Sequence, residues 1–192
     1  MRLFVALSIP ATVLENLSTL IRELRRADEH PRWVNPQNLH VTLKFIGEIP
    51  AEKLTTIGDA LDPIRSASKV NLEFREVGFF PNDRRPNVAW VGIEASANLA
   101  QLAAAINQGL ERLGIPEEKK AFVPHLTIAR FKETRLATAL QAEIEKWKSR
   151  SFGRLSTGEF HLVESKLKSS GAEYTTLRSF RFAPEEPEGG QT

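Results

Sequence analysis

A pattern of strand-like and helix-like segments occurs twice in this chain, and it limits the possible fold more than any other feature. Segments that begin at 2, 40, 70 and 87 have counterparts that begin at 87, 125, 154 and 173. A near-constant offset of about 85 positions predicts an internal duplication of a strand-helix-strand-helix-strand unit. The repeats are roughly 2–80 and 87–164, with a closing strand at 173–182. Two such copies usually pack about a pseudo-two-fold axis, so we expect equivalent residues to face each other.

The periodicity of apolar residues predicts the elements of each repeat. Helical spacing predicts amphipathic helices over 11–28, 51–62, 97–113 and 133–148. Runs rich in β-branched and aromatic residues predict strands over 2–8, 39–46, 70–80, 87–94, 122–130, 154–164 and 173–182.

Two short stretches, one in each repeat, carry the only polar pair that recurs with its surroundings. They are His40-Val41-Thr42-Leu43 and His125-Leu126-Thr127-Ile128. Residues two apart in a strand point to the same face, so each His shares a face with its Thr while the apolar neighbours point away. One such motif alone fits a partly buried histidine with satisfied ring nitrogens. Its duplication favours a functional pair, and we expect His40 and His125 to oppose each other across a shared groove.

Composition and missing motifs count against several chemistries. The chain has no Cys, which excludes disulfides, thiolate metal sites and cysteine nucleophiles. It has no His-Glu-x-x-His sequence and no Asp cluster, so a metal site would need ligands from scattered positions. It has no Gly-x-x-x-x-Gly-Lys phosphate loop and no Gly-x-Ser-x-Gly turn, although a Ser-His-Asp triad from distant positions stays open. We therefore expect neither a metal nor a cofactor.

Two opposed histidines and two threonines suit displacement at a phosphodiester. An imidazole has an unperturbed pKa of about 6.5, so near neutral pH one His can act as a base and another as an acid. Thr hydroxyls are neutral donors suited to the non-bridging oxygens of a phosphate. Displacement at phosphorus is in line, so the attacking and leaving groups lie on opposite sides, where a two-fold groove would place the two His.

The charge pattern tolerates a polyanionic partner without requiring one. The formal net charge is +2, but three of the acidic residues lie beyond residue 182, where no Lys or Arg is found. This acidic tail, 183–192, is expected to be disordered. The apolar run at the start is too short for a signal peptide, and no stretch is long enough to cross a membrane. We expect a cytoplasmic monomer with no membrane partner.

Longer stretches around the motifs resemble the two-histidine phosphoesterases, and among them the RNA 2′,3′-cyclic phosphodiesterases, first named 2′-5′ RNA ligases. The stretches are Arg2-Leu3-Phe4-Val5-Ala6, Asn38-Leu39-His40-Val41-Thr42-Leu43-Lys44-Phe45-Ile46-Gly47, Val88-Ala89-Trp90-Val91-Gly92 and Phe122-Val123-Pro124-His125-Leu126-Thr127-Ile128-Ala129-Arg130. The resemblance covers nearly the whole chain and implies an α+β fold of two lobes. Each lobe is an antiparallel sheet flanked by helices, and the motifs lie in the cleft between the lobes. Residues 1–182 would form this single two-lobed domain.

The resemblance also implies an activity and a role for each motif residue. The family hydrolyses a ribose 2′,3′-cyclic phosphate to a 2′-phosphate without metal, and joins RNA ends through a 2′-5′ linkage in the reverse reaction in vitro. By motif position, His40 is the proton donor to the leaving ribose oxygen and His125 is the proton acceptor that activates water. Thr42 and Thr127 hold the phosphate. The expected partners are RNA ends or nucleotides that carry a cyclic phosphate.

Arg130 follows the second motif and is a further candidate for binding the substrate phosphate. Strict alternation puts it on the face of Leu126 and Ile128, away from the motif side chains. It reaches the site only if the strand ends or bulges first.

Other residues near the motifs are placed by the same alternation. Phe45 falls on the core face, where packing is favoured over stacking on a base. Lys44 falls on the face of the motif histidine, where it would raise the local positive potential. Trp90 is expected in the core. Arg84 and Arg85, in a turn between two strands, either contact an RNA backbone or are simply solvated.

Two classes of function remain open from the sequence. The first is the cyclic phosphodiesterase. The second is a module that binds RNA ends or nucleotides without turnover, in which ligand affinity would survive His-to-Ala changes. A narrower alternative within catalysis is a phosphodiesterase that acts on 2′-5′-linked oligonucleotides or on a nucleotide-derived cyclic phosphate. Substrate size separates these alternatives, and no residue pattern reports the size of the groove.

Overall fold

The structure, a computed structural model, describes residues 1–117, 121–132, 135–169 and 171–182. The strands in this part of the chain are β1 (Arg2–Leu7), β2 (Arg32–Trp33), β3 (Val41–Glu48), β4 (Val70–Phe80), β5 (Val88–Ala95), β6 (His125–Arg130), β7 (Ser151–Thr157), β8 (Glu159–Lys168) and β9 (Gly171–Arg181). The helices are α1 (Ala11–Ala27), α2 (Leu54–Leu61), α3 (Asn98–Glu111) and α4 (Thr138–Trp147), with 3-10 turns at Pro36–Asn38 and Ala51–Lys53. The predicted tail, 183–192, lies outside the described residues.

The strands form two antiparallel sheets. One sheet has four strands in the order β3-β1-β8-β9, and the other has five in the order β2-β6-β5-β4-β7. Helix α3 packs against β3 and β4, and helix α1 packs against β7 and α4. The apolar stripe predicted for α1 is buried at Val13, Leu17, Leu20, Ile21 and Leu24. The predicted α+β class with antiparallel sheets is confirmed.

Each sheet combines strands that are distant in sequence. β1 pairs with β3 and with β8, whereas β4 pairs with β5 and with β7. The order β6-β5-β4-β7 therefore corresponds strand for strand to β3-β1-β8-β9, with the two-residue β2 added beside β6. The internal duplication itself stays a prediction. The repeats do not correspond to separate sheets: β4, the last strand of the expected first repeat, lies in the same sheet as β6, the motif strand of the second repeat.

The prediction of one strand over 154–164 is wrong. The segment contains the end of β7 and the start of β8, which belong to different sheets. The break is at Gly158, where the Glu159 N–H donates to Thr157 Oγ1 at 3.3 Å and the Gly158 carbonyl accepts from Phe182 N–H at 2.6 Å. A continuous run of strand-forming residues does not reveal where a chain turns from one sheet into another. The predicted helix 133–148 also begins later, at Thr138, because Ala137 has extended backbone angles; residues 133–134 of that prediction lie outside the described part.

Both motif strands contain a β-bulge at the same distance from the histidine. In β3 the first of two bulges is at Leu43, which pairs with no residue of β1; the second is at Ile46, beyond Phe45. In β6 it is at Ile128, which pairs with no residue of β5. A bulge adds one residue to its strand, so the alternation of side chains is reversed beyond it. Side chains that follow each bulge therefore point to the opposite face from the one that strict alternation predicts.

Candidate active site

The two motifs lie on neighbouring strands at the junction of the two sheets. Cα atoms of β3 and β6 approach within 8 Å of each other. β3 is an edge strand of the four-stranded sheet, and β6 is next to the edge strand β2, which pairs with Ala129 and Arg130. The sheet edges that carry the motifs are thus adjacent.

His40 is anchored by its backbone neighbour and by two aromatic rings. Its Nδ1 lies 2.8 Å from the Asn38 carbonyl oxygen. Its ring stacks on Phe4, with centroids 4.5 Å apart, and meets Tyr174 edge-on at 5.1 Å. Burial among these groups lowers the pKa of His40 below 6.5, and the hydrogen bond to Asn38 offsets part of this effect. In the free protein the neutral imidazole is therefore favoured.

His125 is held in the same way on the other sheet. Its Nδ1 lies 2.8 Å from the Val123 carbonyl oxygen, again two residues upstream. Phe80 meets the ring edge-on at 5.1 Å. The ring is half-buried, with fewer aromatic contacts than His40.

The hydrogen bonds select one tautomer for both rings. A carbonyl oxygen only accepts, so each Nδ1 must carry a proton and donate it. In the neutral form each Nε2 then has a free lone pair, and in the protonated form it carries the transferable proton. Two imidazoles with matching orientation thus present the same nitrogen for chemistry.

Thr42 and Thr127 lie on the same faces as the histidines. Thr42 pairs with Ala6 of β1, and Thr127 pairs with Trp90 of β5, both before the bulge. Both threonines are half-buried. Among the described residues, neither hydroxyl has a hydrogen-bond partner, so both are available as donors to a ligand.

The bulge at Leu43 corrects two predictions. Phe45 is on the motif face rather than in the core: 54% of it is exposed, and its ring lies 6.3 Å from that of Phe4. Lys44 points the other way and is only 1% exposed, with its Nζ donating to the Pro116 carbonyl at 2.6 Å. Lys44 therefore adds no charge to the motif face, and Phe45 offers an aromatic surface there.

The bulge at Ile128 brings Arg130 to the motif face. Arg130 pairs with Val88, two residues from Trp90 on the same side of β5, whereas Ala129 takes the buried position. Arg130 is exposed. The condition set by the sequence, a bulge before Arg130, is met, and Arg130 corresponds in position to Phe45 of the other motif.

Aromatic residues that contact the two histidines were not predicted as part of the site. Phe4 and Tyr174 surround His40, and Phe80 contacts both His125 and Trp90, at a centroid distance of 5.3 Å from the latter. Trp90 was expected in the core, but it is half-buried on the face of Thr127. One signal in the sequence pointed to this aromatic packing: β1 has apolar residues on both of its faces, as is typical of a strand that is buried on both sides.

The described residues show neither a cation site nor a membrane helix. Among them, no three His, Asp or Glu side chains come close enough to share a cation. In the same part of the chain, no helix combines the length and apolar character needed to span a bilayer. Metal independence stays a prediction.

Comparison with protein families identifies the chain's relatives. A family model described as the 2′-5′ RNA ligase superfamily matches residues 13–168. The chain belongs to this superfamily. A protein of Archaeoglobus fulgidus named RNA 2′,3′-cyclic phosphodiesterase is 34% identical over 180 residues, which cover 94% of this chain and 99% of the relative. A protein of Methanocaldococcus jannaschii with the same name is 32% identical over 180 residues, with 94% and 100% covered.

Solved structures that resemble the chain in sequence have the same fold. TT0787 of Thermus thermophilus is 31% identical, with a TM-score of 0.79, and the match covers 97% of this chain and 100% of that one. LigT of E. coli, solved in complex with 3′-AMP, is 27% identical, with a TM-score of 0.75, and the match covers 95% and 98%. The resemblance recognised from the sequence motifs is confirmed.

Proposed function

We propose that this superfamily member hydrolyses the 2′,3′-cyclic phosphate of RNA ends or nucleotides to a 2′-phosphomonoester, with His40 and His125 as the acid and base. The observation that carries the mechanism is the matched anchoring of both Nδ1 atoms, which leaves both Nε2 atoms for substrate. Relatives that are 30% to 35% identical and named RNA 2′,3′-cyclic phosphodiesterase support the hydrolytic activity. The chain is a phosphodiesterase by this relationship.

The proposed reaction transfers two protons around one displacement at phosphorus. His125 Nε2 accepts a proton from water, and the water oxygen forms a bond to phosphorus. The bond from phosphorus to the ribose 3′ oxygen breaks in line, and that oxygen takes the proton of His40 Nε2. The products are a 2′-phosphate and a free 3′ hydroxyl. With the 5′ hydroxyl of a second RNA as the nucleophile in place of water, the same groups would open the cyclic phosphate to a 2′-5′ linkage, and the 3′ oxygen would again leave with the proton of His40.

Protonation of His40 is coupled to substrate binding in this scheme. Burial lowers the pKa of His40 in the free protein, so a donor role requires that the proton be regained. An anionic phosphate placed near the ring favours the charged imidazolium and raises its pKa. The substrate thus helps to charge the group that protonates its own leaving oxygen.

Hydroxyl donors would stabilise the phosphate as charge develops. Thr42 and Thr127 present hydroxyls without partners in the described part of the chain, on the faces of the two histidines. Arg130, farther along the same face on the His125 side, adds a full positive charge that attracts the phosphates of the substrate at longer range. Removal of one preorganised donor of this kind lowers kcat by roughly 10²- to 10³-fold.

The test is hydrolysis of a nucleoside 2′,3′-cyclic phosphate in excess chelator by the wild type, His40→Ala and His125→Ala, with phosphorus NMR to locate the product phosphate. His30→Ala is the matched control, because His30 is exposed and bonds to Asp28 outside the motifs. We expect a 2′-phosphate from the wild type and the control, and a loss of at least about 10²-fold in each motif variant.

Other outcomes point to the alternatives. Loss of activity in chelator would indicate a metal-dependent reaction. An inert wild type whose RNA-end affinity survives both His changes would indicate a binding module without turnover. Hydrolysis of 2′-5′-linked oligonucleotides in preference to the cyclic phosphate would change the substrate.

A further inference from the structure

Two arginines lie directly opposite each other at the junction of β2 and β6. Arg32 and Arg130 form a cross-strand pair, so their side chains share a face, and both are exposed. Like charges opposite each other destabilise a sheet. Within the described residues, neither arginine forms an ion pair with a carboxylate that would relieve this repulsion. An anionic ligand would do so.

A second pair of arginines adjoins the first. The turn that holds Arg84 and Arg85 leads into β5, whose Val88 pairs with Arg130. The Phe131 N–H donates to the Asn87 carbonyl at 2.9 Å, which ties the end of β6 to the same turn. Arg32, Arg84, Arg85 and Arg130 are called the arginine strip below.

The turn that carries Arg84 and Arg85 is held in a defined shape by side-chain hydrogen bonds. Asn82 Oδ1 accepts hydrogen bonds from the backbone N–H groups of Arg84 and Arg85, each at 3.1 Å. Asp83 lines a cavity beside α4, together with Gln141 and other residues of that side. Asp83 is exposed, as are all four arginines of the strip.

The arginine strip is continuous with the candidate active site. Because of the bulge at Ile128, Arg130 shares the face of His125 and Thr127. Arg130 lies five residues from His125, which corresponds to about 15 Å along a strand. The strip therefore extends the motif face away from the reacting phosphate. Phe45, at the corresponding position of the other motif strand, carries no charge.

We propose that the arginine strip binds successive phosphodiester groups of an RNA strand on the 5′ side of its terminal cyclic phosphate. Guanidinium groups bind phosphate oxygens in a bidentate way, and contacts of this kind position a nucleic acid without reading its sequence. The substrate class is then an RNA 3′ end of several nucleotides rather than a free nucleoside cyclic phosphate. This proposal rests on the proposed function and names the substrate of that site.

The experiment compares two substrates, cytidine 2′,3′-cyclic phosphate and a ten-nucleotide RNA that ends in a 2′,3′-cyclic phosphate. The strip variant is Arg32→Gln/Arg84→Gln/Arg85→Gln, which leaves Arg130 in place. We expect kcat/KM for the RNA to fall about 10- to 100-fold, mainly through KM, while kcat/KM for the mononucleotide stays within about twofold. Removal of three phosphate contacts also reduces the slope of log(kcat/KM) against log[salt] by about 2 for a single strand.

The matched control is Arg22→Gln/Arg25→Gln/Arg26→Gln, which changes the net charge equally on the exposed side of α1. It is expected to leave both substrates unchanged within about twofold, apart from a small effect of net charge. Equal losses for the strip and control variants, or equal losses on both substrates, would overturn the proposal.

A binding measurement separates this proposal from the proposed function. Fluorescence anisotropy with the same RNA carrying a 2′-phosphate end reports affinity without turnover. A wild type inert on both substrates would refute the proposed function, yet the strip variant must still bind this RNA about 10- to 100-fold more weakly than the control variant. Equal affinity of the two variants, or no RNA binding by the wild type, would refute the strip.

Discussion

Gly78 lies directly beneath the indole ring of Trp90, so the smallest possible side chain at this position should disturb the site. A Cβ at Gly78 would overlap Cζ2 and Cη2 of Trp90 and lie 2.8 Å from Cε2. Gly78 does not have a positive φ, so Gly78→Ala introduces no backbone strain. The only penalty is the displacement of Trp90, whose Nε1 has no hydrogen-bond partner among the described residues.

The magnitude follows from two opposing effects. Overpacking costs about 1–3 kcal/mol. Replacing Gly by Ala at a compatible position stabilises by about 0.4–1 kcal/mol through the unfolded state. We expect Gly78→Ala to lower the free energy of unfolding by about 1–2 kcal/mol, measured by urea denaturation. We also expect kcat to fall about tenfold, because Trp90 contacts Phe80 and Phe80 contacts His125, and misplacement of a reacting group by about 1 Å lowers the rate steeply.

Two further variants make this prediction specific. Gly78→Ala combined with Trp90→Leu should be about 0.4–1 kcal/mol more stable than Trp90→Leu alone, because the clash partner has been removed and the effect on the unfolded state remains. Gly158→Ala is the control: the nearest atom to its Cβ is Lys69 Cγ at 3.9 Å, an ordinary contact, so this variant should not be less stable than the wild type and should gain at most about 1 kcal/mol. Wild-type stability and rate in Gly78→Ala would refute the idea that Trp90, through Phe80, holds His125 in place.

Three other predictions concern the first lobe. Phe45→Ala should raise KM for an RNA cyclic phosphate about 5- to 100-fold with little change in kcat, because base stacking contributes about 1–3 kcal/mol per base; Phe45→Tyr retains a ring and should behave as wild type, and an unchanged KM in Phe45→Ala would exclude stacking. In an NMR titration His40 should have a pKa below 6.5 because it is buried, and its pKa should rise when a nucleoside 2′-monophosphate binds; a pKa above 6.5 in the free protein would contradict the burial argument. The free energy of unfolding should fall as the pH is lowered through about 6.5, because burial lowers the pKa of His40 and His161 in the folded chain and the unfolded chain binds these protons first. His161→Gln should reduce the slope of the free energy of unfolding against pH in this range. An unaltered slope would assign the pH dependence to other groups.

The sequence predicted the elements well because most of them carry a clear period. The apolar stripe of α1 and the alternation of β4 both follow from side-chain spacing, and the strand predicted over 70–80 has the same bounds in the structure. The shared face of each His and Thr also followed from a period of two. These features depend on local spacing alone.

What the sequence did not predict depends on pairing between distant strands. The bulges at Leu43 and Ile128 exist because β1 and β5 skip one residue of their partners, and no local pattern records a skipped residue. That single residue moved Phe45 to the motif face and Lys44 away from it. The aromatic packing around His40 was missed for a related reason, since Tyr174 reaches it from β9, far along the chain.

The exchange of strands between the two sheets has a consequence for synthesis on the ribosome. β1 and β3 are synthesised first. The other neighbour of β1 is β8, which begins only at Glu159. Until then the nascent chain exposes an apolar strand with an unpaired edge, the kind of surface on which chains associate. Each sheet takes strands from both the N-terminal and the C-terminal half of the chain. We therefore expect fragments 1–80 and 87–182 to be insoluble when each is expressed alone, and to fold only when both are expressed together.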